Sequence, residues 1–351
     1  MAQDNVARRI LWPGNNVLLR VAFLYVAQGA SALVFAANGQ EFKVLLVDIN
    51  MGRKNGGIDV PRLVKDLLGD QPLTAFVNTH PHDDHVCGVD TLVDTVNVEE
   101  IWHSGHVPSK KYGECYATLK AAIEKVKKDG GEEVLLEGSR DAKQLGEIEY
   151  YVLGPAEYLT DEVNDEQADE RYRRIHEQCA VVKFGKGKNW IFIPGDADKA
   201  AFENHITKYH RDRLSAFALG ASHHGSRTFF MENEGDEPYL DALNTIDPEY
   251  IVISAPLREE SDHDHPHEDA EKLYVDHAGR DNVVHTGADR MSYFFDIYRD
   301  GTRSGIQHDN GDLAATYGLE SDDDDGGGTK SKGPFISPKS STGDLTPRRY
   351  G

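Results

Sequence analysis

Basic residues are in short supply. Against 60 Asp and Glu the 351-residue chain sets only 38 Lys and Arg, a formal net charge of -22. A surface that grips duplex nucleic acid without regard to sequence needs the opposite sign, so no double-stranded DNA-binding face is expected. A nucleotide or a single-strand end held at bound cations is still compatible, because dications invert the local field. Cysteine is rare too: Cys87, Cys115 and Cys179 are all there are. They form no CxxC pair and no even framework, so free, mostly buried thiols in a reducing, cytoplasmic setting are expected. Long apolar runs are missing as well. Nothing approaches a membrane span, and the apolar content of the N-terminus is too short and broken for a signal peptide.

What the chain does have is length for a substantial core and 16 histidines, many of them clustered. One folded domain is expected over residues 1–317. From residue 318 the composition changes to an acidic run, Asp322–Asp325, then Gly326–Gly328, then Ser, Thr, Lys and Pro. Such a segment buries too little apolar surface to order itself, so 318–351 is expected to be a disordered tail.

Short segments rich in Val, Leu, Ile and Phe predict strands at 17–25, 31–37, 42–48, 75–78, 134–136, 147–153, 180–184, 190–193, 216–221, 251–254, 283–284 and 291–298. Helical spacing appears at 60–68, 112–128, 199–209 and 267–277, and 157–174 reads as a solvated helix or excursion. The strands come in two batches separated by a helical middle. That pattern predicts an α+β chain, an αββα sandwich of two mixed sheets flanked by helices.

The strand at 75–78 runs straight into Thr79-His80-Pro81-His82-Asp83-Asp84-His85. Imidazole nitrogens and carboxylate oxygens are the usual ligands of zinc and similar ions. On a helix, residues i and i+2 diverge, whereas an irregular loop can turn His80 and His82 to one ion and Asp84 and His85 to a neighbour. Two more predicted strands end in donors. Ile191-Phe192-Ile193-Pro194-Gly195 delivers Asp196, and Ala216–Ala221 leads to Ser222-His223-His224-Gly225-Ser226. A single carboxylate can bridge two ions at the spacing typical of two-metal sites.

With these motifs the chain resembles the metallo-β-lactamase superfamily, and more narrowly the soluble hydrolase domain of ComEC-type competence proteins and their stand-alone relatives. The resemblance runs from about Val17 to Gly301. Besides the motifs above it includes Val26-Ala27-Gln28-Gly29-Ala30-Ser31, Leu46-Val47-Asp48 and Val284-His285-Thr286-Gly287. The resemblance implies that His80 and His82 hold a first divalent ion, that Asp84, His85 and His224 hold a second, and that Asp196 bridges them. Zinc is the expected ion, with manganese as the alternative. Asp84 and His223 are the implied catalytic residues, His223 as proton donor, although the two adjacent histidines can exchange roles. Asp48 is implied to orient the metal loop from behind.

The chain departs from the family pattern in places. Ile49-Asn50 stands where the family has Thr-Gly, and Ala30 replaces an acidic residue. The third histidine of the first site has no clear match, and His176, His103 and His106 are the candidates. His265 and His267 lie in His263-Asp264-His265-Pro266-His267, either at the mouth of the site or in a solvated loop. Arg227 is placed either to contact a substrate phosphate or as a plain surface residue. The expected activity is hydrolysis by metal-activated hydroxide, of a phosphodiester in a nucleotide or single-strand nucleic acid. The alternatives are an acyl substrate (thioester, lactone or β-lactam) and an inactive binding or regulatory relative. Oligomeric state is open.

Overall fold

Alternation of side chains along Val17–Phe23 sends Leu19, Val21 and Phe23 to one face and Ala22 to the other, and both faces are buried. A strand buried on both sides belongs inside a layered fold. The structure is a computed structural model, and it describes residues 5–51, 56–108 and 114–319. Fifteen strands form two sheets among the described residues: β1 (Val17–Phe23), β2 (Ala32–Asn38), β3 (Glu41–Val47), β4 (Leu73–Asn78), β5 (Val98–His103), β6 (Glu132–Leu135), β7 (Lys143–Leu145), β8 (Ile148–Gly154), β9 (Val181–Lys186), β10 (Asn189–Ile193), β11 (Ala218–Gly220), β12 (Tyr250–Ile253), β13 (Val283–His285), β14 (Tyr293–Tyr298) and β15 (Gln307–His308). The first sheet has the order β15-β14-β1-β2-β3-β4-β5-β6 and the second β13-β12-β11-β10-β9-β8-β7.

Both sheets are mixed. Pairing is antiparallel from β15 through β3 and parallel from β3 to β6. In the second sheet it is antiparallel from β7 to β10 and parallel from β10 to β13. Three apolar layers result. Leu19, Val34, Val77, Val182, Phe184, Ile191 and Phe295 fill the space between the sheets. Leu33, Phe35, Leu46 and Phe76 meet helices Val60–Leu68 and Glu114–Lys128 outside the first sheet. Phe192, Leu219 and Ile251 meet Phe202, Ala270 and Tyr274 outside the second. The expected sandwich is the observed one.

Some expectations shift. The strand at 98–103 escapes the apolar pattern because Glu99 and Glu100 interrupt Val98-Glu99-Glu100-Ile101-Trp102. The excursion at 157–174 is two short helices, Glu157–Asn164 and Ala168–Arg173. Cys179 is buried and free, but Cys87 is disulfide-bonded, against the expectation of free thiols throughout. Nothing in its local spacing signals that bond. Of the segment expected to be a disordered tail, Gly318 bridges Ile58 and Leu319 donates to the Gly57 carbonyl at 2.7 Å. The remainder lies outside the described residues. Among the described residues no helix is long and apolar enough to cross a membrane.

One core position carries a testable cost. Lys183 on β9 is 2% exposed, its ammonium 4.4 Å from the Trp190 ring centre and 3.2 Å from the Ser215 carbonyl. Burial, helped by Arg213, pushes this amine down to about 7. In the unfolded chain it titrates near 10.4. Between those values the unfolded state holds the extra proton, so stability rises with pH there and the cost is complete below pH 7. Lys183→Met is therefore expected to stabilise the fold at pH 6 by roughly 1–3 kcal/mol. Denaturant unfolding at pH 6 and at pH 9.5 checks this, and a gain of equal size at both pH values would count against it.

Candidate metal centre

Parallel strands align their carboxyl ends, and ligands collect where such strands stop. β3, β4 and β5 are parallel in one sheet, and β10, β11 and β12 in the other. Asp48 follows β3, Thr79–His85 follows β4, Asp196 follows β10, Ser222–His224 follows β11 and Ser254 follows β12. These ends meet at one edge of the sandwich.

Close turns aim the donors. Gly195 has φ +57°, and a Cβ there would sit 2.8 Å from Thr79 Cβ, so only glycine lets the turn before Asp196 press on the metal loop. Gly29 has φ +97°, and a Cβ would come within 2.3 Å of the Asp84 carbonyl oxygen. His223 and His224 take φ +50° and +56°, a left-handed pair that non-glycine residues seldom adopt and that is commonest at functional sites.

Two groups of donors result. His80, His82, His176 and Asp196 form the first, and Asp84, His85 and His224 the second, the ligand atoms within each lying within 4.8 Å of one another. In the first, His80 Nε2 lies 3.0 Å from His82 Nδ1, and His176 Nε2 lies 3.4 Å from that same nitrogen. In the second, His224 Nε2 is 3.3 Å from Asp84 Oδ2. Asp196 stands between the groups. Its Oδ1 is 3.1 Å from His85 Nε2 and 3.5 Å from His224 Nε2, and its Oδ2 is 3.6 Å from His80 Nε2 and 3.9 Å from His176 Nε2.

The hydrogen bonds behind the rings determine which nitrogen faces the centre. Asp48 is 1% exposed and receives Thr79 N–H (2.7 Å), Thr79 Oγ1 (2.6 Å) and His85 Nδ1 (2.8 Å). A carboxylate only accepts, so His85 Nδ1 carries a hydrogen and is closed to a metal ion, and Nε2 is the nitrogen turned to the centre. The Ser254 carbonyl does the same for His224 Nδ1 at 2.9 Å. The two Nε2 atoms then face each other at 3.0 Å. Two lone pairs that close repel, and a cation, whether a proton or a metal ion, is what removes the repulsion. Nitrogen and carboxylate donors on bare lone pairs, backed by hydrogen-bonded partners, suit a divalent ion.

The electrostatics are set by burial and by the mutual fields of these groups. Burial, with His85 beside it, holds His80 well below the ordinary imidazole range. His85 is also fully buried, but Asp196, Asp48 and Asp84 outweigh burial and raise it well above that range. Burial would raise Asp196 and Asp84. The histidines around them, His85 foremost, outweigh it and hold both carboxyls well below their usual range.

The remaining sequence candidates divide. Of the three for a third histidine, the structure brings His176 to His80 and His82. His103 instead pairs with Glu133 at 3.1 Å, and His106 with Gln178. His176 follows a charged helix and no strand, so nothing in its local pattern marks it. His223 lies beside the centre, Nε2 3.5 Å from Asp196 Oδ2 and Nδ1 2.8 Å from Thr228 Oγ1. The His265 ring centre is 5.1 Å from that of His223, and its Nδ1 is buried with no partner among the described residues. His267 Nδ1 accepts from Arg227 N–H, 3.1 Å away. The Arg227 guanidinium is committed to Asp269 at 2.9 Å, with Glu234 at 3.7 Å, and is not brought onto the centre. Gln28 went unassigned at the sequence level, yet its amide donates to Asp84 Oδ2 at 3.3 Å, and Ser261 Oγ donates to its Oε1 at 3.4 Å.

Residues 51–148 match the family model described as the metallo-beta-lactamase superfamily, a span that contains Thr79–His85 and stops short of His176, Asp196 and His224. No curated protein matches the chain. Among solved structures the chain is similar to Igni18, a metallo hydrolase from the hyperthermophilic archaeon Ignicoccus hospitalis, at 12% identity over 73% of this chain and 92% of that one, TM-score 0.38. It is also similar to a diphosphatase from the PhnP family, at 12% identity over 76% and 94%, TM-score 0.38. A metallo beta lactamase from Hirschia baltica follows at 13% identity over 67% and 82%, TM-score 0.30. Two mixed sheets face to face with helices outside and this loop at their edge are the metallo-β-lactamase fold.

Proposed function

We propose that the chain is a metal-dependent hydrolase that works with two divalent ions and acts on a phosphodiester, in a nucleotide or single-strand nucleic acid. His80, His82 and His176 would hold the first ion, Asp84, His85 and His224 the second, and Asp196 would serve both. The observation that carries this reading is the position of Asp196, one oxygen toward each group of donors. Three imidazoles in the first group favour zinc over manganese. Such ions, when bound, act as Lewis acids that lower the pKa of water and offset negative charge in the transition state.

The protein's own residues supply order and a proton. Asp48 and the Ser254 carbonyl pin His85 and His224 in one tautomer, which suits permanent ligands. His223 is held differently. Its Nδ1 partner is the Thr228 hydroxyl, which can donate or accept, so the ring can gain or lose a proton at Nε2 and keep its anchor. That supports His224 as ligand and His223 as the group that protonates the leaving oxygen. Gln28 keeps Asp84 turned toward His224. The phosphodiester preference rests on the likeness of Val26–Ser31 and His223–Ser226 to ComEC-type hydrolase domains.

Purified chain supplied with zinc is expected to hydrolyse bis-p-nitrophenyl phosphate and to lose that activity with a chelator. Nitrocefin and thioesters run in parallel distinguish the alternatives. Turnover of acyl substrates alone would remove the phosphodiester reading, and metal uptake with no chelator-sensitive turnover would favour a binding protein.

A further inference from the structure

The helix Ala168–Arg173 buries none of its residues. Polar contacts fix it beside the first group of donors. Arg171 Nη1 donates to the carbonyls of Asn164 and Glu166, at 3.4 and 3.0 Å. Tyr172, the next residue, is 48% exposed. A scattered exposed ring is ordinary on a protein surface. This one borders the metal centre: its ring centre is 6.2 Å from that of His82. The two planes meet at 56°, so His82 approaches the phenol obliquely and does not stack on it. Val107, 46% exposed, stands on the same side. Its N–H donates to Asn164 Oδ1 at 2.9 Å, and Asn164 is the residue to which Arg171 is tied.

The charges around Tyr172 are taken up by one another. Arg173 pairs with Glu170, and Arg174 with Glu162, Glu166 and Glu177. Paired side chains offer little to a further phosphate or to an ammonium, so what Tyr172 adds at this rim is the neutral face of a ring. Every nucleobase has a matching face, and stacking on an aromatic side chain needs no hydrogen-bond code.

The position of His223 says which part of the substrate comes here. Its ring centre lies 4.2 Å from that of His176 and 5.1 Å from that of His265. A leaving group protonated by His223 departs on that side. The ester group that stays on the phosphate is then the one directed toward His82 and Tyr172.

We propose that Tyr172 is a specificity-determining residue, the platform on which the base of a nucleotide substrate stacks while its phosphate sits at the donors. The assignment rests on the phosphodiesterase reading and narrows its substrate class to esters with a flat ring on the retained side. Thymidine 5′-p-nitrophenyl phosphate and methyl p-nitrophenyl phosphate share a leaving group and differ in that ring. With the zinc-loaded full chain, Tyr172→Ala is expected to lower the ratio of their kcat/KM values, thymidine ester over methyl ester, by ~tenfold. Tyr172→Phe keeps the ring and should hold the ratio within about twofold of the parent. A ratio unchanged in the Ala variant, or lost equally in the Phe variant, would overturn the assignment. So would a loss confined to p-nitrophenyl phosphocholine, which would put a cation on the ring instead of a base. Should the parent turn over none of these esters, the phosphodiesterase reading fails and calorimetry decides the platform by itself. Thymidine 5′-monophosphate is then expected to bind more tightly than 2-deoxyribose 5-phosphate, with the difference lost in the Ala variant and kept in the Phe variant. Equal binding of the two, or a preference that survives Tyr172→Ala, would refute it.

Discussion

Replacing Asp196 with Asn is expected to lower turnover by about three orders of magnitude and to reduce bound metal from about two ions per chain to one or fewer. The carboxylate faces both donor groups at once, Oδ1 toward His85 and His224, Oδ2 toward His80 and His176. An amide has one oxygen, so it can serve one group, and it turns its NH2 on the other. The backbone stays anchored, because Asp196 N–H donates to the Cys179 thiol and not through the side chain. Circular dichroism is therefore expected to be unchanged, which separates loss of metal from loss of fold. Metal analysis after gel filtration, with kinetics on the same sample, reads both effects. An Asn variant that keeps two ions and its rate would refute the shared position of Asp196.

Asp48→Asn is expected to cost 10–100-fold in metal affinity and in activity, although Asp48 lies behind the donors and not among them. The Asn oxygen can still accept Thr79 N–H. The other position then becomes NH2, which must donate toward Thr79 Oγ1 and His85 Nδ1, the two groups that now donate to Asp48 Oδ2. His85 is driven to the opposite tautomer, with its hydrogen on Nε2 pointing at Asp196 and His224. A protonated Nε2 cannot ligate. Asn suits the backbone here, since Asp48 has φ +56° and Asn is among the few residues that tolerate that region. Zinc titration of the apo chain measures the loss. Unchanged affinity would mean that His85 is not oriented from behind.

Much of the fold was legible because its signals are local. Apolar runs of strand length in two batches point to two sheets, and the structure has them. The runs that escaped notice are short or broken by charge: Lys143–Leu145 has three residues and Gln307–His308 two. Val98–His103 sits between β4 and β6 and keeps two glutamates in the middle of its run. The donors His80, His82, Asp84 and His85 are readable because five ligand-type residues, Asp83 included, crowd into six positions at a strand end. Asp196 and His224 are readable for the same reason of placement. His176 is not. It follows Arg173 and Arg174 in a charged excursion, where a histidine looks like any surface residue.

The amino-acid order alone determined which residue types could bind a cation and which strand ends would carry them, because periodicity and turn chemistry act over a few residues. Tertiary structure decided the rest. It chose His176 over His103 and His106, set Asp196 between two donor groups and turned Arg227 toward Asp269. It also turned two imidazole Nε2 atoms toward the centre through Asp48 and the Ser254 carbonyl. Each of these depends on the register of parallel strands and on residues more than 25 positions apart in the chain. Local pattern carries no information about such separations.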